Sequence, residues 1–266
     1  MIRPLFTVFP VVLLCAASGD ALADDSAGNS AKNSTTTEYV LWITLDGLRW
    51  QEFFGGADER LMTADAGAVK DEAALKARFL RDTPEARRQA LLPFCWDVIS
   101  REGQLVADPA HESAVTVTNG QYFSYPGYQE ILAGFPDERI QSNAKVPNPN
   151  VTVLEWLHRR PEFAGRVAAF CSWDVFPFII NAERSGIPVN AGWQPLEPAA
   201  EAEQLRLLNE LAEEVPHYWD NVRYDVFTFF GAKARLLREP PRVLYVAFGE
   251  TDDWAHAGRY DLYLDS

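Results

Sequence analysis

Three continuous β-favouring runs, Tyr39 to Leu45, Arg166 to Cys171 and Arg242 to Phe248, constrain the fold of this chain more than any other feature. A strand with one face in water alternates apolar and polar residues, whereas a strand covered on both faces reads as a near-continuous apolar run. Between these runs the pattern is helical: Ala68 to Arg101, Pro126 to Ala133, Val151 to Arg159, Glu201 to Glu214 and Val222 to Arg238. The first helical stretch breaks near Thr83-Pro84-Glu85, where Thr83 can cap and Pro84 can take the first helical position. A further short strand is expected at Val115 to Val117. Strands alternating with helices imply parallel pairing through right-handed crossovers. The expectation is an α/β layered fold with a mostly parallel central sheet, helices on both faces, and a site at the carboxyl ends of the strands.

With 266 residues and 47% hydrophobic composition, the chain can bury one large core. Its formal net charge of -14 argues against a general nucleic-acid or anionic-membrane binder, which needs clustered Lys and Arg. Residues 1–23 read as a signal peptide: Arg3, an apolar stretch from Leu5 to Ala17, and Ala21-Leu22-Ala23 ahead of Asp24 as the cleavage site. A lipoprotein signal through Cys15 is disfavoured because Leu14 stands where a small residue is needed. Export to the periplasm or medium follows, with residues 24–37 as a polar leader and one domain over 38–266. No second run is long and apolar enough to span a bilayer. Cys95 and Cys171 both sit in apolar contexts and read as buried thiols; a disulfide between them is the alternative that export allows.

Function is carried by the chain ends of the strands. Glu250-Thr251-Asp252-Asp253-Trp254-Ala255-His256 follows the apolar run Val243 to Phe248 directly. A carboxylate and an imidazole four residues apart, where a buried strand opens into a loop, can converge on one cation, and oxygen with nitrogen donors suits zinc. Asp46 ends the first run before Gly47, and Ser124 opens a helix in Ser124-Tyr125-Pro126. Each residue alone has a commoner role: Asp-Gly in a turn, Ser as a helix cap, and the acidic segment as a solvated loop. Their shared placement after expected strands favours metal-activated hydroxyl chemistry. A divalent cation lowers the cost of the Ser124 alkoxide, and a helix N-terminus favours negative charge there.

These motifs resemble the alkaline phosphatase superfamily, most closely the branch of type I phosphodiesterases and nucleotide pyrophosphatases. In that family a strand ends in a metal-binding Asp before Gly, as in Leu45-Asp46-Gly47. The nucleophile lies in a hydroxyl-aromatic-Pro turn opening a helix, as in Ser124-Tyr125-Pro126-Gly127-Tyr128, with Gly134 closing it. Asp252 and His256 match its Asp and His separated by three residues. The resemblance implies an alkaline-phosphatase-like domain and two divalent metal ions, zinc by preference. Asp46 and Ser124 would face one ion, and Asp252 and His256 the other. It also implies a Ser124 phosphoryl-enzyme acting on a small phosphate ester, and makes Asn143 the contact to the phosphoryl oxygen. Asp253 is the alternative ligand, with a spacing to His256 that fits the family less well.

Two features depart from the family pattern. The downstream Asp-His-Gly pair and later His that complete the family's metal sites do not occur before Ser266, so the expectation is a domain incomplete at its carboxyl end and of low activity by itself. Position 128 is Tyr where the sulfatases of the superfamily have Arg, which demotes sulfate esters. The rival readings are a non-catalytic exported binding or structural domain, or a sulfatase-like or phosphoglycerate-mutase-like enzyme. Monoester against diester specificity and oligomeric state stay open at this level.

Overall fold

The structure, a computed structural model, describes residues 11–17, 37–197 and 203–266. Five strands form one sheet in the order β1-β2-β5-β3-β4: β1 (Val11–Ala17), β2 (Tyr39–Leu45), β3 (Val167–Cys171), β4 (Val189–Ala191) and β5 (Val243–Phe248). β2, β5, β3 and β4 are parallel, with Val40 opposite Val243 and Val167 opposite the same residue from the other side. β1 alone is antiparallel, with Ala17 opposite Tyr39. It lies within the segment read as a signal. The cleavage motif and nearly all of the leader lie outside the described residues.

Burial on both faces explains the apolar sequences of β5 and β3. Every residue of β3 is buried, as is β5 up to Ala247. Val167, Ala169, Cys171, Val243, Tyr245 and Ala247 face one layer, where they pack on Tyr125, Leu132, Leu154 and Ile179. Ala168, Phe170, Leu244 and Val246 face the other, against Leu196, Leu205 and Ala232. Helices therefore cover both faces, as the sequence predicts. Each fully buried Val, Leu, Ile or Phe among them contributes about 1.5–3 kcal/mol. β2 flanks β5 on the other side from β3 but is only half-buried, with Thr44 its one fully covered residue. A third cluster forms where Leu48 and Phe53 pack with Leu75, Phe79, Tyr260 and Tyr263.

The helices follow their local signals closely. Thr83 accepts a hydrogen bond from Ala86 N at the start of the Pro84–Leu91 helix, with Pro84 in its first turn. The Ser124–Ala133 helix ends at Gly134 in the left-handed conformation, φ 83°. Val151 to Arg159 narrows to Val153–His158, and Val222 to Arg238 to Asp225–Arg238. The described part of the acidic helix runs from Glu203 to Glu214.

Two expectations are overturned. Val115 to Val117 is not a strand: Val115 is exposed, and among the described residues no strand pairs with it. The segment after it is tied by the Glu130 carboxylate, which accepts from Thr118 N at 2.7 Å and Asn119 N at 3.0 Å. Residues 250–256 do not form a loop but the helix Glu250–His256, which follows β5 after the single residue Gly249. Cys95 and Cys171 are buried thiols in separate core clusters. Among the described residues no helix is long and apolar enough to cross a membrane.

Candidate active site

The carboxyl ends of β2 and β5 and the start of the Ser124–Ala133 helix open into one cleft of about 420 Å³, and its walls include Asp46, Ser124, Asn143, Asp252 and His256. All five residues singled out in the sequence thus share one cavity. Asp46 stands one residue past β2, still in the ladder through its N–H to Phe248 O at 3.1 Å. Gly47 turns the chain with φ 76°, and a Cβ there would lie 2.3 Å from the Asp252 Cα. Only a glycine lets the two strand ends approach this closely. The buried Thr251 hydroxyl completes the junction by donating to the Asp46 carbonyl.

Helical geometry, rather than a loop, brings Asp252 and His256 together. Residues four apart share a helix face, and here Asp252 Oδ2 lies 3.4 Å from His256 Nε2. The imidazole is largely exposed while the carboxylate is mostly covered. Ser124 does not follow a strand, as the sequence suggests; an irregular segment leads into its helix with Phe123 at the cap. Asn143 comes from the later loop and accepts a hydrogen bond from Tyr125 N at 3.0 Å, which places it beside the first turn of the Ser124 helix.

The electrostatics of the cleft are those of crowded carboxylates. Burial, then the Asp252 charge, pushes the Asp46 carboxyl well above its usual range, and a hydrogen bond from Ser124 opposes part of that rise. Asp252 is also raised, by burial, with His256 opposing. Asp253 is pushed up to about 7 by burial and by the charges of Asp252, Asp225 and Glu250. The Lys145 ammonium on the cleft wall is paired with Asp174 at 2.5 Å, so its charge is already shared.

Burial and like charge hold protons on these groups, and a divalent cation would relieve the same repulsion. The oxygen and nitrogen donors therefore fit a hard or borderline cation. Among the described residues no three His, Cys, Asp or Glu side chains close around a single point. The donors instead pair off, Asp46 with Ser124 and Asp252 with His256. No protein-family model, curated protein or solved structure matches the chain.

The Asp253 shift has a testable consequence. Its folded pKa lies above its ordinary value, so the folded state keeps a proton that the unfolded chain releases near pH 4. Stability from this group is present at low pH and is lost as pH rises toward 7. In the presence of chelator, Asp253→Asn should therefore gain stability relative to the wild type between about pH 4 and 7. Thermal midpoints measured across that range would show parallel curves if Asp253 titrated normally.

Sequence reasoning missed several polar residues next to the cleft, chiefly Ser172, Arg223 and Asp225. Ser172 sits directly after β3, as Asp46 does after β2, and Asp225 is the first residue of the Asp225–Arg238 helix. Both signals are common enough in ordinary structural roles to pass unnoticed.

Proposed function

We propose that this cleft is the active site of an exported, metal-dependent hydrolase or transferase of small phosphate esters, related to the alkaline phosphatase superfamily, in which Ser124 takes up the phosphoryl group. The observation that carries the reading is the meeting of Asp46, Ser124, Asn143, Asp252 and His256 in one cleft at the carboxyl edge of a parallel sheet. Asp46 with Ser124, and Asp252 with His256, are the residues that would hold two divalent cations, zinc by donor type. When bound, such cations supply positive charge to the serine oxygen and to the phosphoryl oxygens.

The chain's own residues account for the rest. Ser124 Oγ stands at the N-terminus of a ten-residue helix, whose dipole favours the negative charge of an attacking alkoxide and of the phosphoryl group. Asn143 Oδ1 is engaged by Tyr125 N, which leaves its Nδ2 end as the donor for a phosphoryl oxygen. The Ser124 oxygen forms the new P–O bond as the ester oxygen of the leaving alcohol departs, and water or a second alcohol then releases the phosphoryl group. Without cations the acidic walls, with Lys145 already paired to Asp174, offer such a substrate little positive charge, so activity should depend on them.

Removal of ligands tests this reading. Asp252→Ala and His256→Ala should each weaken zinc binding by at least the roughly 10–100-fold that loss of an outer-shell partner causes, with activity falling in step. Elemental analysis and turnover of an activated phosphoester, measured on the same preparations, would check it. Zinc binding without turnover in the wild type would point to a binding domain; neither binding nor turnover would end the proposal.

A further inference from the structure

A second set of polar side chains, none of them in the candidate ligand set, links the ends of β3, β4 and β5: Ser172, Arg223 and Thr228 are buried, and Asn190, Asp225 and Glu250 are partly buried. Arg223 is 1% exposed; its Nε donates to Thr228 Oγ1 at 2.8 Å and its guanidinium also donates to Asn190 Oδ1, in β4, at 2.5 Å. Thr228 Oγ1 lies 2.7 Å from the Ser172 hydroxyl, which follows β3 and donates to the Asp225 carboxylate. Asp225 then reaches the segment after β5: Oδ1 accepts from Gly249 N at 2.9 Å and Oδ2 from Glu250 N at 3.1 Å. Glu250 reciprocates, its Oε2 accepting from Asp225 N at 2.6 Å.

Each carboxylate thus satisfies amides at the start of the other's helix. The exchange matters most for Glu250–His256, whose seven residues are too few to hold a helix by themselves. Its N-cap, Gly249, offers no side chain for capping, and Asp225 supplies from another element what the cap lacks. A Cβ at Gly249 would sit 3.2 Å from Val222 and 3.5 Å from Ser172, so the turn is pressed against the same network.

We propose that Asp225, with Glu250 as its reciprocal partner, is a positioning residue that fixes the Glu250–His256 helix and thereby sets the affinity of the Asp252 and His256 pair for a divalent cation. The affinity half rests on the function proposed above; the positioning half does not. Asp225 touches no reacting atom. It acts through the helix, as outer-shell partners do when they orient ligands.

The test compares Asp225→Ala and Asp225→Asn with Leu205→Ala, a core truncation on the sheet face away from the Ser124 helix. Amide hydrogen exchange is followed in residues 249–256 and in β3, and zinc alone is titrated calorimetrically. Asp225→Ala should raise exchange in 249–256 at least tenfold while β3 keeps its protection, and should weaken zinc binding by roughly 10–100-fold. Asp225→Asn keeps one oxygen acceptor and should fall between that variant and the wild type, so it decides the matter if the alanine variant does not fold. Glu250→Gln, which keeps an oxygen for the Asp225 amide, should lose less than Glu250→Ala.

Leu205→Ala should lower overall stability without selective loosening of 249–256. Unchanged exchange in that segment on removal of Asp225, or the same selective loosening in Leu205→Ala, would overturn the proposal. Selective loosening with zinc affinity within twofold of the wild type would overturn its affinity half. If the wild type binds no zinc, the metal reading fails while the exchange experiment still judges the role of Asp225.

Discussion

Ser124→Ala is expected to slow hydrolysis of an activated phosphoester by roughly 10⁴-fold or more while leaving bound zinc close to the wild-type amount. Loss of a nucleophile removes the covalent route altogether, and single nucleophile knockouts in hydrolases cost about this much or more. Water can replace one hydroxyl among the ligands, but it forms no ester with the phosphoryl group. Asp46 should hold its place in the variant, because its backbone is fixed by the ladder to Phe248 and by the Thr251 hydroxyl rather than by Ser124. Ser124→Thr keeps a hydroxyl on the same carbon and should retain measurable turnover. Single-turnover rates beside elemental analysis make the comparison, and wild-type turnover in Ser124→Ala would rule out the phosphoryl-serine route.

The sheet is legible because β3 and β5 are buried on both faces, which demands unbroken apolar sequence. β4 escaped because it has three residues behind Pro188, too few for any period to show. The Glu250–His256 helix reads as a loop in sequence because its stability is not local: Asp225 holds its first amides, Thr251 ties it to the Asp46 carbonyl, and Trp254 packs against the core around Phe53. For the same reason Val115 to Val117 misled, because three β-favouring residues make a strand only where an edge stands ready to pair with them. The site residues were legible by type and by place after Leu45 and Phe248. What sequence could not show is the distance between them. Gly47 allows the close approach of Asp46 and Asp252, and the Ser172, Arg223 and Asp225 network proposed to position the Glu250–His256 helix assembles from four separate stretches of chain.

Gly47→Ala should be the most damaging single methyl group that the cleft can receive. Two costs add. A residue with a Cβ held at φ 76° loses about 1–2 kcal/mol relative to glycine. The new carbon would also meet the Asp252 backbone, 2.3 Å from Cα and 2.5 Å from N, and forcing extra bulk into a packed junction costs typically about 1–3 kcal/mol. Neither atom can swing aside as a side chain would, so the whole start of the Glu250–His256 helix must retreat from β2. Gly134→Ala separates the two costs, since Gly134 has φ 83° but a Cβ there would meet nothing within 4 Å. That variant should lose only the conformational part and keep its zinc affinity. Gly47→Ala should lower the urea midpoint further and weaken zinc binding tenfold or more, because Asp46 and Asp252 can no longer stand at the same cleft. Equal midpoints for the two variants, with zinc affinity intact in both, would show that the close approach of the β2 and β5 ends is not what builds the site.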